Sequence, residues 1–311
     1  MFTIQDFDDF CLWMYVMIDD WYQQQALPKR PGPPPSSCSD SELLTMIVVG
    51  ECKGQHQETD LLDFWRAHRA LFPHLPSLSR LNRRRRGLVG VLQALHQFLL
   101  GQMDWAQDRL LIVDSLPIGV VSYAHAAHAS SDWAIHQASD GYSHTKRLPF
   151  YGYWLQVLIT YGGVILDWSL TSAATSDVAA AEDLLTQTPI DLRARIVVAD
   201  KGYTSARLRE LLARERQLGL LVLPKRGMRA AATLPLAVRR RVARVRQRIE
   251  TVNSQLSDQL GIETTSAHSF WGLCTRLRAK LTAHLCCVYC HWVSGTPLEE
   301  ALHIKQFVFS S

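Results

Sequence analysis

Three acidic residues stand where the chain could direct them at one substrate. Asp114 follows the apolar run LLIV, Asp200 follows RIVVA, and Glu250 stands alone in a long arginine-rich stretch. Carboxylates at the ends of two apolar strands, joined by a third from a helix, are hard oxygen ligands suited to holding divalent cations against phosphate oxygens. The chemistry implied is in-line displacement at phosphorus. Bound cations would activate a water or a 3′-hydroxyl and stabilise the leaving oxygen, so no nucleophilic side chain is required.

The surroundings of each acid decide how much weight it carries. Asp114 is expected to close its strand, because Ser115, Leu116 and Pro117 follow, and sites in open α/β sheets gather at that edge. Asp200 is followed by Lys201, Gly202 and Tyr203 before Ser205 opens a helix. Either aspartate alone is equally a turn or helix cap. Glu250 lies beside an apolar stripe of Val238, Val242, Val245, Ile249, Val252, Leu256 and Leu260, whose spacing is that of an amphipathic helix. Arg246 and Asn253 lie one turn before and one turn after it on the same flank. Glu250 is the only acid between Glu215 and Asp258. Its simpler alternative is an ion pair with Arg246, worth a few tenths of a kcal/mol.

Basic residues mark a polyanionic partner. The net charge is only +4, but Pro224 to Arg248 holds nine Lys or Arg and no acid, where a solvated helix face would mix both signs. Lys225 and Arg226 in this stretch, together with Lys146, Lys201, Tyr203, Arg246 and Asn253, are candidate DNA contacts. Arg147 beside Lys146 is another. The run Arg83, Arg84, Arg85 and Arg86 reads either as a solvated turn or as a DNA-contacting part of a helix-turn-helix-like unit. His125, His128, His136 and His144 form a loose cluster read as solvated or close to DNA. Trp133, Tyr142 and Trp154 read mainly as packing residues.

These residues must be positioned by two kinds of structure. Residues 1–105 carry helical periodicity, broken by the proline-rich segment PKRPGPPP at 28–35. Ser39 and Glu42 have capping-box spacing ahead of LLTMIVV, and further helices are expected through LLDFWRAHRALF and over 88–100. From Arg109 the pattern changes to strand-length runs. LLIVD, YWLQVLIT and GVILDWSL come first, the last two joined by the turn Tyr161, Gly162 and Gly163. Helix, strand, helix and strand then alternate through SDVAAAEDLLTQ, RIVVAD, SARLRELLARER and LGLLVLP. The order fits an α/β fold with a ribonuclease H-like mixed sheet flanked by helices, behind an all-helical N-terminal domain. The expected domains are 1–105, a helical DNA-end-binding domain; 106–265, the catalytic domain; and 266–311, a C-terminal helical segment packing on the core.

In combination these residues resemble a known family. VDS around Asp114, ADKGY around Asp200 and the Arg-x-x-x-Glu of Arg246 and Glu250 resemble the signature regions of bacterial insertion-sequence transposases of the DDE class, over roughly residues 105–265. The resemblance implies a metal-binding catalytic triad of Asp114, Asp200 and Glu250, two Mg²⁺ ions with Mn²⁺ as a substitute, and double-stranded DNA as partner. It implies cleavage at terminal inverted repeats and joining to target DNA. A homodimer on DNA follows from the need to cut two ends together. Many relatives have a lysine seven positions after the glutamate, where this chain has Ser257.

Other classes are weaker. A structure-selective nuclease or resolvase shares the same metal core, and a catalytically inactive DNA-binding protein would keep the acids as structural groups. A haloacid dehalogenase-type phosphatase needs a second aspartate two residues beyond the first, where Leu116 stands. Cys287, Cys290 and His291 match the C-x-x-C-H pattern of haem attachment but sit in an apolar helical run, so they read as core and no haem is expected. The seven cysteines do not form a disulfide framework, and Leu281–Val293 is too short and too polar to span a bilayer. The expected setting is the bacterial cytoplasm, in association with the nucleoid, with no membrane partner.

Overall fold

Capping groups and apolar periodicity account for most of the helices. The computed structural model describes residues 4–25, 38–222, 236–295 and 304. The chain divides into two compact units, Met1–Met103 with Gln255–Ser311, and Asp104–Ser254.

The first unit is helical: α1 (Phe7–Gln24), α2 (Asp40–Cys52), α3 (Glu58–Ala67), α4 (Leu78–Gly87) and α5 (Val89–Gln102). The Ser39 and Glu42 capping box is formed, with the Glu42 amide donating to Ser39 Oγ at 3.0 Å. Helix α2 is buried along nearly its whole length, from Leu43 to Cys52. The arginine run, expected just ahead of a helix, forms a helix of its own, α4, because Ser77 starts a turn that Leu81 anchors in the core.

The second unit carries the sheet. Its elements are β1 (Leu110–Val121), α6 (Ser131–Ile135), β2 (Ser139–Ser143), β3 (Leu148–Thr160), β4 (Ile165–Ser172), α7 (Asp177–Gln187), β5 (Ile196–Ala199), α8 (Ala206–Arg216), β6 (Gly219–Val222) and α9 (Leu236–Ser254). Strand order is β2-β3-β1-β5-β6, with β4 also paired to β3. β3 runs antiparallel to β1, β2 and β4, whereas β1–β5 and β5–β6 are parallel, so the sheet is mixed as expected. The β3–β4 hairpin turns through Gly163 at φ +90°, a conformation that favours glycine. Ser176 and Ser205 cap α7 and α8 through the amides of Ala179 and Leu208. Val242, Val245, Ile249 and Val252 are buried along α9, which packs on β1 and β5. Each contributes roughly 1.5–3 kcal/mol relative to exposure.

β1 departs from expectation. It does not end at Asp114 but continues to Val121, paired with β3 from Leu111↔Thr160 onward. Pro117 is tolerated because β5 pairs only with the first three residues of β1, leaving the rest with an edge-like side.

The last helix, α10 (Phe270–Val293), belongs to the helical unit, where it packs against α2 and α5. Its burial on nearly every side requires a surrounding bundle. Leu277, Leu281, Leu285, Cys286, Cys287, Cys290 and His291 are all buried along it. Among the described residues no helix is long and apolar enough to cross a membrane.

Candidate active site

The site follows from strand register. β1 and β5 pair in parallel at Leu110↔Ile196, Leu111↔Val197 and Ile112↔Val198. Their offset of 86 residues, 196 less 110, is also the separation of Asp114 and Asp200. Each aspartate therefore stands two residues past the last paired rung, Asp114 still within β1 and Asp200 directly after β5. Side chains alternate along extended chain, so the pair shares a face with Ile112 and Val198. Asp200 is extended, at φ −74° and ψ 172°, and then caps a single 3₁₀ turn over Lys201–Tyr203.

Asp114 is held by α9. Asn253 Nδ2 donates to Asp114 Oδ2 at 3.0 Å. The Asn253 Oδ1 atom is buried and has no hydrogen-bond partner, so an oxygen ligand is left facing inward beside a carboxylate. Glu250 lies one turn earlier on α9 and is exposed.

Tyr203 forms the floor. It is 2% exposed, and its hydroxyl donates to Gln156 Oε1 at 2.9 Å. Burial raises the tyrosine pKa well above its ordinary value. The charges of Asp114, Asp177 and Asp200 add to the rise, and a Ser115 hydrogen bond opposes it. Three carboxylates thus lie within electrostatic reach of one phenol. Tyr203 was a candidate DNA contact, but the structure places it inside, where its ring completes packing after the β5 turn.

Asp177 is the residue that sequence reasoning missed. It opens α7, and its carboxyl pKa is raised by burial and by the charge of Asp200, with His144 acting in the opposite direction. A Cβ at Gly202 would meet the end of the Asp177 carboxylate, so Asp177 lies against the turn that follows Asp200. An acid in the first turn of a helix is so common a complement to the helix dipole that its sequence carries no distinguishing signal.

The remaining candidates separate by exposure. Lys201 and Lys146 are exposed, beside Asp200 and in the β2–β3 turn respectively. Arg83 and Arg86 are exposed on α4. Arg84 instead donates to the Ser39 carbonyl at 2.9 Å and Asp40 Oδ1 at 2.7 Å. Arg85 is 2% exposed and paired with Glu51 at 2.5 Å, so the run is not one DNA-facing surface. The helical period places successive residues about 100° apart, which sends one of the four arginines into the core. Lys225 and Arg226 lie outside the described residues, as does the Arg246 side chain. Asn253 is committed to Asp114.

Aspartate carboxylates are hard oxygen ligands of the kind Mg²⁺ or Mn²⁺ takes, rather than a softer metal. Among the described residues, however, no group of three or more His, Cys, Asp or Glu is close enough together to hold a metal ion. The expected three-carboxylate cluster is therefore not preformed: the strands bring Asp114 and Asp200 together, while Glu250 remains on the exposed side of α9.

The second unit is thus a mixed sheet with Asp114 in β1, Asp200 directly after the parallel neighbour β5, and Glu250 on the helix α9 that packs on both strands. The model of the transposase DDE domain matches residues 105–286, more than half of the chain, and the chain belongs to that family. No curated protein and no solved structure matches it. The family carries a DDE-type transposase role and, with it, binding to DNA.

Proposed function

We propose that the protein cleaves DNA at the terminal inverted repeats of a bacterial insertion sequence and joins those ends to target DNA, with Asp114, Asp200 and Glu250 as its catalytic carboxylates. The observation that carries the proposal is the parallel β1–β5 register, whose last pair, Ile112↔Val198, stands two residues ahead of Asp114 in β1 and of Asp200 just after β5. The strand order and the antiparallel-then-parallel arrangement support a ribonuclease H-like reading of the sheet.

Asp114, Asp200 and Glu250 would hold two Mg²⁺ ions, with Asn253 Oδ1 as a neighbouring oxygen donor. When bound, the ions supply activation of a water or 3′-hydroxyl and stabilisation of the leaving oxygen. The protein's own part is positional. Asn253 holds one oxygen of Asp114 by a hydrogen bond. Tyr203 and Gln156 form a buried hydrogen-bonded pair, with Tyr203 within electrostatic reach of Asp114, Asp177 and Asp200. Asp177 places further negative charge beside Asp200, which strengthens the site's demand for cations. Lys201 and Lys146 contact the DNA backbone, with affinity that falls as salt rises. Two copies act together, one on each end.

The experiment is incubation of the protein with end-sequence DNA, a target plasmid and Mg²⁺. Joined products support the transposase reading. Hydrolysis without joining makes the protein a nuclease or resolvase, and binding without either reaction makes it an inactive DNA-binding protein.

A further inference from the structure

The helical unit contains a second polar concentration, remote in chemistry from the carboxylates. Glu51 is 1% exposed and accepts from Arg85 at 2.5 Å, Lys280 at 2.8 Å and the His56 ring at 3.0 Å. Lys280 Nζ also donates to the Leu260 carbonyl at 2.7 Å. Glu58 accepts from Arg276 at 2.6 Å, and Arg276 further donates to the carbonyls of His56 and Thr265 at 2.9 and 2.6 Å. This network ties α2, α3, α4 and α10 together.

Beside it opens a cleft of about 240 Å³, lined among others by Arg85, Arg86, Arg276, His268, Ser269 and Glu58. Three features of the cleft point to an anion. The first is Arg85. It is 98% buried, from its 2% exposure, yet its Nε and Nη1 atoms have no hydrogen-bond partner. Its Nη1 reaches only to 3.5 Å from Glu58 Oε1, beyond ordinary hydrogen-bond length. A buried guanidinium with two unused donors is costly unless something accepts from it.

The second is charge. Arg85, Arg86, Arg276 and Lys280 face two carboxylates, Glu51 and Glu58, so cations are in excess whatever the state of His56 and His268. Burial lowers the Arg276 pKa, Glu58 opposes that, and the charge of Arg85 lowers it further, so the two guanidiniums repel one another. The third is the N-terminus of α10, a 24-residue helix, whose cap Ser269 and first-turn Gly272 line the cleft. Its partial positive charge points the same way as the arginines.

We infer that this cleft binds a phosphate group, gripped by Arg85, Arg86 and Arg276 at the N-terminus of α10. Guanidiniums suit phosphate oxygens as charged hydrogen-bond donors, and Arg85 keeps Nε and Nη1 without a hydrogen bond while its Nη2 is given to Glu51. The cleft accommodates one phosphate, so it acts as a register anchor for a nucleic-acid backbone or as a receptor for the free ion. The inference does not depend on the roles of Asp114, Asp200 or Glu250, and either reading stands if the other fails.

The test is titration of the full-length protein with inorganic phosphate, followed by calorimetry and by thermal melting, with chloride at matched ionic strength as reference. Ser269→Asp keeps a favourable helix cap while setting a negative charge at the cleft, and Arg86→Gln removes an exposed cation without disturbing the buried network. The wild type is expected to bind phosphate saturably and melt higher, with affinity reduced by about tenfold or more, about 1.4 kcal/mol, in each variant. Circular dichroism of both variants should match the wild type. Prior saturation with duplex DNA then identifies the source: loss of phosphate binding assigns the cleft to a backbone phosphate, and retained binding assigns it to the free ion. Absence of saturable phosphate binding, or equal affinity in the wild type and both variants, overturns the inference.

Discussion

The Asn253 side chain donates to Asp114 across 139 residues of chain, at 3.0 Å. This single bond joins the end of α9 to the middle of β1, and so links the helix bearing Glu250 to the sheet bearing the two aspartates. It also makes a prediction. Asn253→Ala removes this bond to Asp114, and DNA cleavage should fall by about 10- to 100-fold, as for other residues that orient metal ligands. Filter binding of DNA, run in parallel, should show affinity close to wild type.

A side chain at Gly202 should act on Asp177 before it acts on the backbone. A Cβ there meets the far end of the Asp177 carboxylate, which can turn aside, so Gly202→Ala is expected to cost about 0.5–1.5 kcal/mol and to move that carboxylate. Urea unfolding measures the cost. A loss of several kcal/mol would show that the turn itself, rather than the Asp177 side chain, has to move.

Tyr203→Phe separates the two roles considered for this residue. Its hydroxyl is buried against Gln156, so the substitution should cost about 0.5–1.5 kcal/mol of stability, with a larger loss if Gln156 is left unsatisfied. DNA affinity should be unaffected. A drop in DNA affinity without a change in stability would return Tyr203 to the DNA surface.

The buried network of the helical unit sets an acid limit. Burial pushes the Glu51 carboxyl upward, but Lys280, the His56 hydrogen bond and Arg85 together outweigh it and hold its pKa at about 2, below the ordinary 4.5. A depressed carboxyl contributes stability that is complete above its unfolded pKa and is lost as pH falls toward the folded one. The contribution should therefore disappear between about pH 4.5 and 2. Glu51→Gln removes it at every pH, leaves two buried cations short of a partner, and is expected to cost about 3–5 kcal/mol. Thermal melting across that pH range should show the wild type converging on the variant as acid is added.

Much of this arrangement was legible in the chain because it rests on local rules. The Ser39 capping box, the serine caps of α7 and α8, the β3–β4 hairpin and the apolar stripe of α9 are each encoded within a few residues. The extent of β1 was not, because Pro117 and Gly119 read locally as breakers while pairing to β3 carries the strand through them. Asp177 was hidden for a similar reason: its nearness to Asp200 comes from the packing of α7 beside the β5 turn. The arginine run misled in the other direction. Four successive cations read as one surface until the helical period turned Arg85 into the core, where Glu51 meets it.

The central claim is that Asp114, within β1, and Asp200, directly after β5, serve one catalytic site. Mg²⁺-dependent cleavage and joining of end-sequence DNA by Asp200→Asn, with DNA affinity measured on the same preparation, tests it most directly. Both reactions should fall by at least about 100-fold while affinity stays close to wild type. Cleavage at the wild-type rate would contradict the account.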